Sequence, residues 1–196
     1  MYELYISNIR EFCREQYDEE YAKLTDADKN RIDKLKSIDS KHRTLAGRML
    51  ARKAIFKLTD CDPDAIRFCT DGKGKPFVQD LGVFFSISHS GEWVVCAASY
   101  EPIGVDIERI KPIGIKFARR VCTANELGYV MDSAGGSDML DGESAARLFK
   151  VWTVKEAWFK LTGTGITNLK AVDTLSDVSH KHTQRMGEYM ISIVTE

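Results

Sequence analysis

The sequence predicts an α+β protein built from two lobes of similar size. Three observations support this fold class. The chain has 196 residues, which is enough for one large domain or for two of about 100 residues each. Its middle third contains short alternating apolar segments bounded by turn residues, a pattern typical of antiparallel strands. Helical apolar spacing occurs on both sides of that part, so the lobes are assigned to residues 1–100 and 101–196.

The first lobe begins with a loosely alternating segment, residues 2–9, which predicts a strand. Charged residues dominate residues 10–43 and indicate solvated helix and loop. Between Ser40 and Leu58 apolar residues recur at three- and four-residue spacing and basic residues occupy the other side, so a helix is expected. Turn-forming residues then separate predicted strands at about 66–69, 83–88 and 93–99.

The second lobe is predicted to open with a strand at residues 103–109 and a helix at 113–133. Within that helix Thr123 and Glu126 have the spacing of a capping box. Residues 133–142 form a Gly/Ser/Asp-rich loop. A long helix is expected from about Glu143 to Leu161, ending at glycines that favour a C-cap, and two strands are expected in residues 170–196.

Composition excludes several classes of protein. The net charge is −1, so the molecule as a whole is not built to bind nucleic acid. No apolar stretch approaches the roughly 18 residues of a membrane span, and no signal peptide is visible. The five cysteines include no CxxC pair, which argues against a zinc site or a disulfide framework. A cytoplasmic protein is expected.

Two acidic residues alternate with apolar ones in the strand at 103–109. Asp106 and Glu108 are two positions apart, so their side chains leave the same face of the strand. Like charges side by side on a strand repel each other. A divalent cation such as magnesium would offset that repulsion, because hard cations prefer oxygen ligands. A strand face exposed to water is the alternative, and the spacing fits both.

A third acid lies in the long predicted helix. Trp152, Glu156 and Lys160 are four positions apart and share one face. Aromatic residues lie on several sides of this helix, so most of its surface is expected to be packed. Glu156 and Lys160 therefore form either a surface ion pair or part of a functional site. The aromatic residues are Phe149, Trp152, Trp158 and Phe159.

Two further segments are candidates for phosphate contacts. His89 stands where a strand meets a turn, a suitable place to bind a phosphate, although a hydrogen-bonded turn histidine is the alternative. The basic turn at residues 73–76 either holds a phosphate or is exposed.

Taken together, four ordered segments resemble the 4′-phosphopantetheinyl transferases of the surfactin-synthetase-activating (Sfp) type. Each motif alone is weak, and the resemblance rests on their order and spacing over about residues 40–170. It implies a monomer of two lobes related by a pseudo-twofold axis, with coenzyme A in the cleft between them. The four segments are Gly74–Pro76, Phe85–Ser90, Ile103–Glu108 and Trp152–Ala157 with Lys160.

The resemblance implies transfer of the phosphopantetheine arm of coenzyme A to a serine of an apo acyl or peptidyl carrier protein, releasing 3′,5′-ADP. The carrier that is served stays open among those of fatty-acid, polyketide, non-ribosomal peptide and lysine-pathway type. Asp106 and Glu108 would bind Mg²⁺, with Mn²⁺ as an alternative. Glu156 would be the third metal ligand, the base that takes the serine proton, or both. In such chemistry positioning and charge neutralisation do most of the work.

The resemblance also assigns contacts to coenzyme A. His89 with Ser88 and Arg43 would bind the 3′-phosphate, and arginine suits that group because its planar fork donates in pairs. Lys75 would lie along the adenine and ribose. Three further roles are implied: Lys160 and, less directly, Lys155 at the diphosphate, Glu126 as an acid of possible function, and Ile113 and Phe117 at the carrier protein.

One departure and two rival hypotheses accompany this interpretation. Larger family members continue beyond the position of residue 196 with further strands, so a trimmed second lobe or a missing end is expected. A coenzyme A- or nucleotide-binding protein without transfer activity is the first rival. The second is an interaction module that uses the helix around Trp152 and Trp158 as a partner surface.

Overall fold

Residues 1–72, 75–132, 138–165 and 168–196 are described by a computed structural model. They form two compact units, Met1–Glu101 and Pro102–Glu196. In each unit a long helix packs against a three-stranded antiparallel sheet, which confirms the α+β prediction. Within these ranges the structure contains no helix with the length and apolar character of a membrane span.

The first unit contains a sheet in the strand order β1-β5-β4 and a small two-stranded sheet, β2-β3. A 3-10 turn at Ile9–Glu11 follows the first strand. The elements are β1 (Tyr2–Asn8), α1 (Arg14–Ala22), α2 (Asp26–Asp33), α3 (Ile38–Thr59), β2 (Phe68–Thr70), β3 (Pro76–Val78), β4 (Phe84–Ser90) and β5 (Trp93–Ser99).

Helix α3 lies unusually close to its sheet. It begins where the Ser37 hydroxyl accepts a hydrogen bond from the Ser40 amide at 3.1 Å, a standard N-cap. A Cβ added at Gly47 would lie 2.8 Å from a methyl group of Ile87 on β4, so glycine permits this approach. The buried side of the helix combines small residues with larger apolar ones: Ala46, Ala51, Ala54 and Ile55 are fully buried, and Leu45 and Leu50 are nearly so.

The second unit repeats the combination of a long helix and an antiparallel sheet, here in the order β6-β10-β9. A short pair, β7-β8, accompanies it. The elements are β6 (Ile103–Arg109), β7 (Ile113–Gly114), α4 (Ile115–Val121), α5 (Ala124–Met131), β8 (Met139–Leu140), α6 (Gly142–Thr162), β9 (Lys181–Met186) and β10 (Tyr189–Thr195).

The helix predicted at residues 113–133 is interrupted, and its first two residues form β7 instead. Cys122 and Thr123 have extended backbone angles, so α4 ends and α5 begins there. The predicted capping box is present: the Thr123 hydroxyl accepts from the Glu126 amide at 3.2 Å, and the Glu126 carboxylate accepts from the Thr123 amide at 2.7 Å. A capping box marks the start of a helix. The prediction of a single helix over 113–133 was therefore wrong, because a new helix begins after Thr123.

Other boundaries differ by smaller amounts. Strand β4 continues through His89 to Ser90, whereas the sequence placed a turn at residues 89–91. Part of the loop predicted at 133–142 is the short strand β8, and residues 133–137 of it lie outside the described residues, as do Lys73 and Gly74 of the basic turn. The predicted glycine C-cap of the long helix is confirmed, because Gly163 has φ 65°.

Candidate functional site

The central feature of the second unit is the acidic face of β6. Asp106 and Glu108 are separated by Ile107, which is fully buried on the opposite face. Asp106 is buried and Glu108 is half-buried. The strand therefore holds two carboxylates side by side on the face that α6 covers. Because this face is partly shielded from water, solvent screens their mutual repulsion less than it would on an exposed strand.

Helix α6 approaches this face at backbone contact distance because β6 contains a glycine. A Cβ at Gly104 would lie 1.8 Å from the Ala157 carbonyl oxygen and 2.8 Å from the Leu161 amide nitrogen, distances that no side chain tolerates. The close contact carries the functional groups of α6 to those of β6. Lys160 Nζ lies 2.7 Å from Asp106 Oδ1, and Trp152 Nε1 donates to Glu108 Oε1 at 3.4 Å.

Glu156 lies one helical turn before Lys160 and is strongly affected by its surroundings. Its pKa is raised to about 7, mainly by burial and also by the negative charges of Asp106 and Glu108, while Lys160 has the opposite effect. Each of these side chains therefore lies within electrostatic range of Glu156. A carboxyl with a pKa near neutrality can take up or release a proton at physiological pH.

The described residues contain no group of three or more His, Cys, Asp or Glu side chains that is already arranged to hold a metal ion. Asp106 instead makes an ion pair with Lys160, and Glu108 accepts the indole N–H of Trp152. The three carboxylates that the sequence singled out therefore share one region, in an arrangement where protein donors satisfy part of their charge.

Lys155 is separated from this region although it is adjacent to Glu156 in sequence. Its side chain is completely buried, and Nζ lies 2.8 Å from Glu126 Oε2. The ammonium also donates to the carbonyl oxygens of Leu169 and Val172 at 2.6 and 2.5 Å. This burial conflicts with the expected contact of Lys155 with coenzyme A. Lys155 and Glu156 have different surroundings because successive residues of a helix point about 100° apart.

Glu126, whose role the sequence left open, is the partner of Lys155 and the centre of a buried network. Its Oε1 accepts from the amide and the hydroxyl of Thr174 at 2.7 and 2.8 Å, and its Oε2 accepts from the Thr123 amide. The network joins α5, α6 and the segment after α6. Thr174 was not identified from sequence, since no periodicity marks a contact 48 residues away.

A second candidate site lies in the first unit, between α2, α3 and β4. It is a cavity of about 170 Å³ whose lining includes three arginines and a histidine. Arg43, predicted from the resemblance, lines it and donates to the Gly91 carbonyl oxygen at 3.0 Å and to Ser40 Oγ at 3.0 Å. His89 lines it as well. The other lining residues are Asp28, Arg31, Ile32, Thr44, Arg48, Thr70, Pro76 and Ile87.

Ser88 and Lys75, the other coenzyme A contacts predicted in the first unit, are not among the residues that line this cavity. Ser88 is buried and, as the neighbour of His89 on β4, points to the opposite face of the strand. A joint contact of Ser88 and His89 with one phosphate therefore does not follow from the strand geometry. Lys75 is next to the cavity residue Pro76, and its backbone amide donates to Asp71 Oδ1 at 2.8 Å. Burial lowers the pKa of the Lys75 ammonium.

The two residues predicted to meet a carrier protein are both half-buried. Ile113 pairs with Leu140 in the short sheet. Phe117 on α4 packs edge-on against Trp152, with ring centroids 5.3 Å apart, and the Arg120 guanidinium lies 5.4 Å from its ring. Phe117 therefore reaches the same tryptophan that donates to Glu108.

Comparison with known families supports the resemblance over nearly the whole chain. A model described as 4′-phosphopantetheinyl transferase superfamily matches residues 102–192. A second model, described as 4′-phosphopantetheinyl transferase, N-terminal, matches residues 11–101. The two matches adjoin one another, and each covers one of the two compact units.

Individual relatives agree with these models. The chain is 38% identical over 130 residues to the 4′-phosphopantetheinyl transferase gsp of Aneurinibacillus migulanus, covering 66% of this chain and 52% of the relative. It is 39% identical over 127 residues to the 4′-phosphopantetheinyl transferase Sfp of Bacillus subtilis, covering 64% and 54%. A phosphopantetheinyl transferase of a Thraustochytrium species is 33% identical over 157 residues, covering 74% and 54%. The chain spans about half the length of the curated relatives it matches.

Proposed function

Because the chain belongs to the 4′-phosphopantetheinyl transferase superfamily, we propose that it transfers the 4′-phosphopantetheine arm of coenzyme A to a serine of an apo acyl or peptidyl carrier protein. The observation that carries this proposal is the placement of Glu156 and Lys160 on α6 beside Asp106 and Glu108 on β6. Three acids and a lysine in one region suit substitution at a diphosphate, where positioning and charge neutralisation carry most of the catalysis.

The donor set fits a divalent magnesium ion in its chemistry. Asp106, Glu108 and Glu156 supply the oxygen ligands that hard cations prefer, and the charges of Asp106 and Glu108 help to raise the pKa of Glu156. Asp106, Glu108 and Glu156 would hold the ion, with manganese as an alternative. The ion would neutralise charge on the diphosphate and on the leaving group. Because these side chains are not already arranged around a metal ion, binding would have to bring them together.

The residues of the chain account for the remaining chemistry. The serine oxygen of the carrier forms a bond to the β-phosphorus of coenzyme A, and the bond from that phosphorus to the bridging oxygen of 3′,5′-ADP breaks. Glu156 accepts the serine proton, because its carboxylate lies in the same region as Asp106, Glu108 and Lys160. Lys160 then contacts a diphosphate oxygen, because its ammonium lies at the acidic face and its side chain is 30% exposed.

The cavity in the first unit would bind the phosphorylated adenosine end of coenzyme A. Arg43 and His89 line it and would contact the 3′-phosphate, while Lys75 would lie along the adenine and ribose. This proposal includes the two-lobed arrangement that the resemblance implies, with coenzyme A engaging both units. Its support is that one unit carries a cavity with three arginines in its lining and the other carries the acids and Lys160.

The transfer is tested by intact-mass spectrometry of an apo carrier protein incubated with this chain, coenzyme A and Mg²⁺. A gain of about 340 Da, one phosphopantetheine arm, that disappears with EDTA is expected. A carrier with its acceptor serine replaced by alanine is the control. Carriers of the polyketide, non-ribosomal peptide, fatty-acid and lysine-pathway classes are all included.

Other results would favour the rival functions. Coenzyme A binding without any mass gain would favour an inactive binding protein, and no binding of coenzyme A or 3′,5′-ADP would favour an interaction module. Size-exclusion chromatography with light scattering tests the expected monomer.

A further inference from the structure

A buried ion pair forms one wall of the cavity in the first unit. Arg48 Nη2 lies 2.9 Å from Asp28 Oδ1, and both side chains are about nine-tenths buried, with exposures of 10% and 11%. Both residues line the cavity together with Arg43 and His89. Neither residue was identified from the sequence as part of a site. Arg48 lies in the predicted helix between Ser40 and Leu58, and Asp28 lies in the charged segment of residues 10–43.

The surroundings hold Arg48 in one position. Its guanidinium lies 5.3 Å from the centroid of the Phe68 ring, a cation–π distance. Its partner Asp28 is itself fixed, because Asp28 Oδ2 accepts from the hydroxyl of Thr25, the residue that caps α2, at 3.2 Å. A guanidinium held in this way loses little conformational freedom when it binds a ligand.

A comparison with Arg52, one turn further along α3, shows what distinguishes Arg48. Arg52 is also buried and also lies over Phe68, at 4.9 Å. Its guanidinium, however, donates to both carboxylate oxygens of Glu20 and to the carbonyl oxygens of Pro63 and Ile66. Arg52 therefore ties α1, α3 and the following loop together, and it does not line the cavity.

Arg48 differs from Arg52 in its polar contacts within the described part of the chain. Its salt bridge with Asp28 uses one terminal nitrogen of the guanidinium. A guanidinium carries five N–H donors in a fixed fork, so donors remain for a ligand on the cavity side. Asp28 adds a negative charge to the same wall, and that charge would repel a phosphate if Arg48 did not compensate it. The chemistry of the wall suits a phosphate monoester that meets Arg43, Arg48 and His89 together.

We infer that Arg48, held in place by Asp28, is a further determinant of binding to the 3′-phosphate of coenzyme A. The inference rests on the proposed function, because it takes that ligand as the occupant of the cavity. Arg48 then discriminates coenzyme A from dephospho-coenzyme A, which lacks the 3′-phosphate. The pair with Asp28 keeps the guanidinium in the cavity when no ligand is bound.

The test is calorimetric binding of coenzyme A, dephospho-coenzyme A, 3′,5′-ADP and 5′-AMP to the full chain and its Arg48→Gln variant. The wild type should prefer the phosphorylated member of each pair. Arg48→Gln should reduce that preference about 10- to 100-fold, the range for a lost hydrogen bond to a charged group. Affinity for dephospho-coenzyme A and 5′-AMP should change little.

Two further variants separate recognition from folding. Asp28→Asn/Arg48→Gln removes both charges, so no uncompensated charge stays buried, and it should show the same loss of preference. Arg52→Gln is the matched control, since it removes a neighbouring buried arginine outside the cavity. It should lower the thermal midpoint of unfolding while the preference for the 3′-phosphate stays at the wild-type value.

The outcomes distinguish this inference from the proposed function. If the wild type transfers phosphopantetheine and prefers coenzyme A, and both variants lacking Arg48 keep that preference, the inference is wrong and the function stands. If the wild type binds none of the four ligands, the proposed function and the inference fail together. Equal weakening of all four ligands in Arg48→Gln would assign Arg48 a structural role and overturn the inference.

Discussion

Lys155 and Glu126 form an ion pair in which both side chains have no solvent exposure, with Nζ and Oε2 2.8 Å apart. Taking two charges out of water costs several kcal/mol for each ion, and only good geometry and further hydrogen bonds offset that cost. Both conditions are met: two carbonyl oxygens accept from the ammonium, and Thr123 and Thr174 donate to the carboxylate. The pair therefore fixes α6, and with it Glu156, relative to α5.

Removing one member of this pair should destabilise the second unit. Lys155→Met leaves the Glu126 carboxylate buried without its cation, so the free energy of unfolding should fall by about 3–5 kcal/mol. Urea denaturation measures the loss, and the double variant Lys155→Met/Glu126→Gln should recover part of it. The control is Arg14→Ala, which breaks an exposed pair with Asp18 and should change stability by under about 0.5 kcal/mol. A loss equally small in Lys155→Met would contradict the assigned role.

The stability of the metal-free protein should depend on pH through Glu156. Its folded-state pKa is about 7 against an ordinary value of 4.5, so between these values the folded state keeps a proton that the unfolded state has released. The stabilising contribution is complete below about pH 4.5 and is lost as pH rises through about 7. The stability of wild type minus that of Glu156→Gln should fall across this interval and level off above it. A difference that stays flat with pH would show that Glu156 titrates normally.

Magnesium should reverse the direction of that dependence. The proton competes with the metal for the carboxylate, so stabilisation by Mg²⁺ should grow as pH rises from about 5 to 8. Thermal unfolding with and without Mg²⁺ measures this, and Glu156→Gln provides the control, in which the growth should be much reduced.

Gly104→Ala should damage the protein through backbone geometry. The added Cβ would meet the Ala157 carbonyl oxygen at 1.8 Å, so α6 must move away from β6. We expect a loss of about 1–3 kcal/mol, the usual cost of overpacking. Transfer should also be lost, because Glu156 and Lys160 on α6 are drawn away from the carboxylates of β6. The matched control is Gly128→Ala in α5, where a Cβ meets nothing within 4 Å. It should raise stability slightly, by up to about 1 kcal/mol; a similar small gain in Gly104→Ala would refute the close contact.

Asp106→Ala should abolish transfer while the chain still folds. The substitution removes one proposed metal ligand and the ion pair with Lys160, whose ammonium can move to solvent because the side chain is 30% exposed. The transfer rate should fall at least about 100-fold, since metal neutralisation supplies several kcal/mol to such reactions. Glu188→Ala, which removes an exposed ion pair with Arg109 on the same sheet, is the control. Undiminished transfer by Asp106→Ala would remove the metal assignment.

His89→Ala should weaken coenzyme A more than dephospho-coenzyme A, because His89 lines the cavity proposed for the 3′-phosphate. The ratio of the two dissociation constants measures this effect and cancels any general loss of folding. Thr70→Ala, at the same cavity but without a charge, is the control and should leave the ratio almost unchanged. If His89→Ala weakens both ligands by the same factor, the histidine does not contact the phosphate.

The amino-acid sequence determined those features that depend on local spacing. Alternation in residues 103–109 placed Asp106 and Glu108 on one face of a strand, and four-residue spacing placed Glu156 and Lys160 on one face of a helix. The capping box of Thr123 and Glu126 was also visible. These patterns follow from the periods of the strand and the helix, which are fixed by backbone geometry.

The tertiary structure decided which of these groups meet. Lys155 and Glu156 are adjacent in sequence, yet one is sealed in an ion pair and the other lies among the proposed metal ligands. Arg48 and Arg52 differ by one helical turn, yet one lines a cavity and the other ties three segments together. The physical reason is that burial and pairing depend on contacts between residues distant in sequence, such as Glu126 with Thr174 and Asp28 with Arg48. Local periodicity carries no information about those contacts.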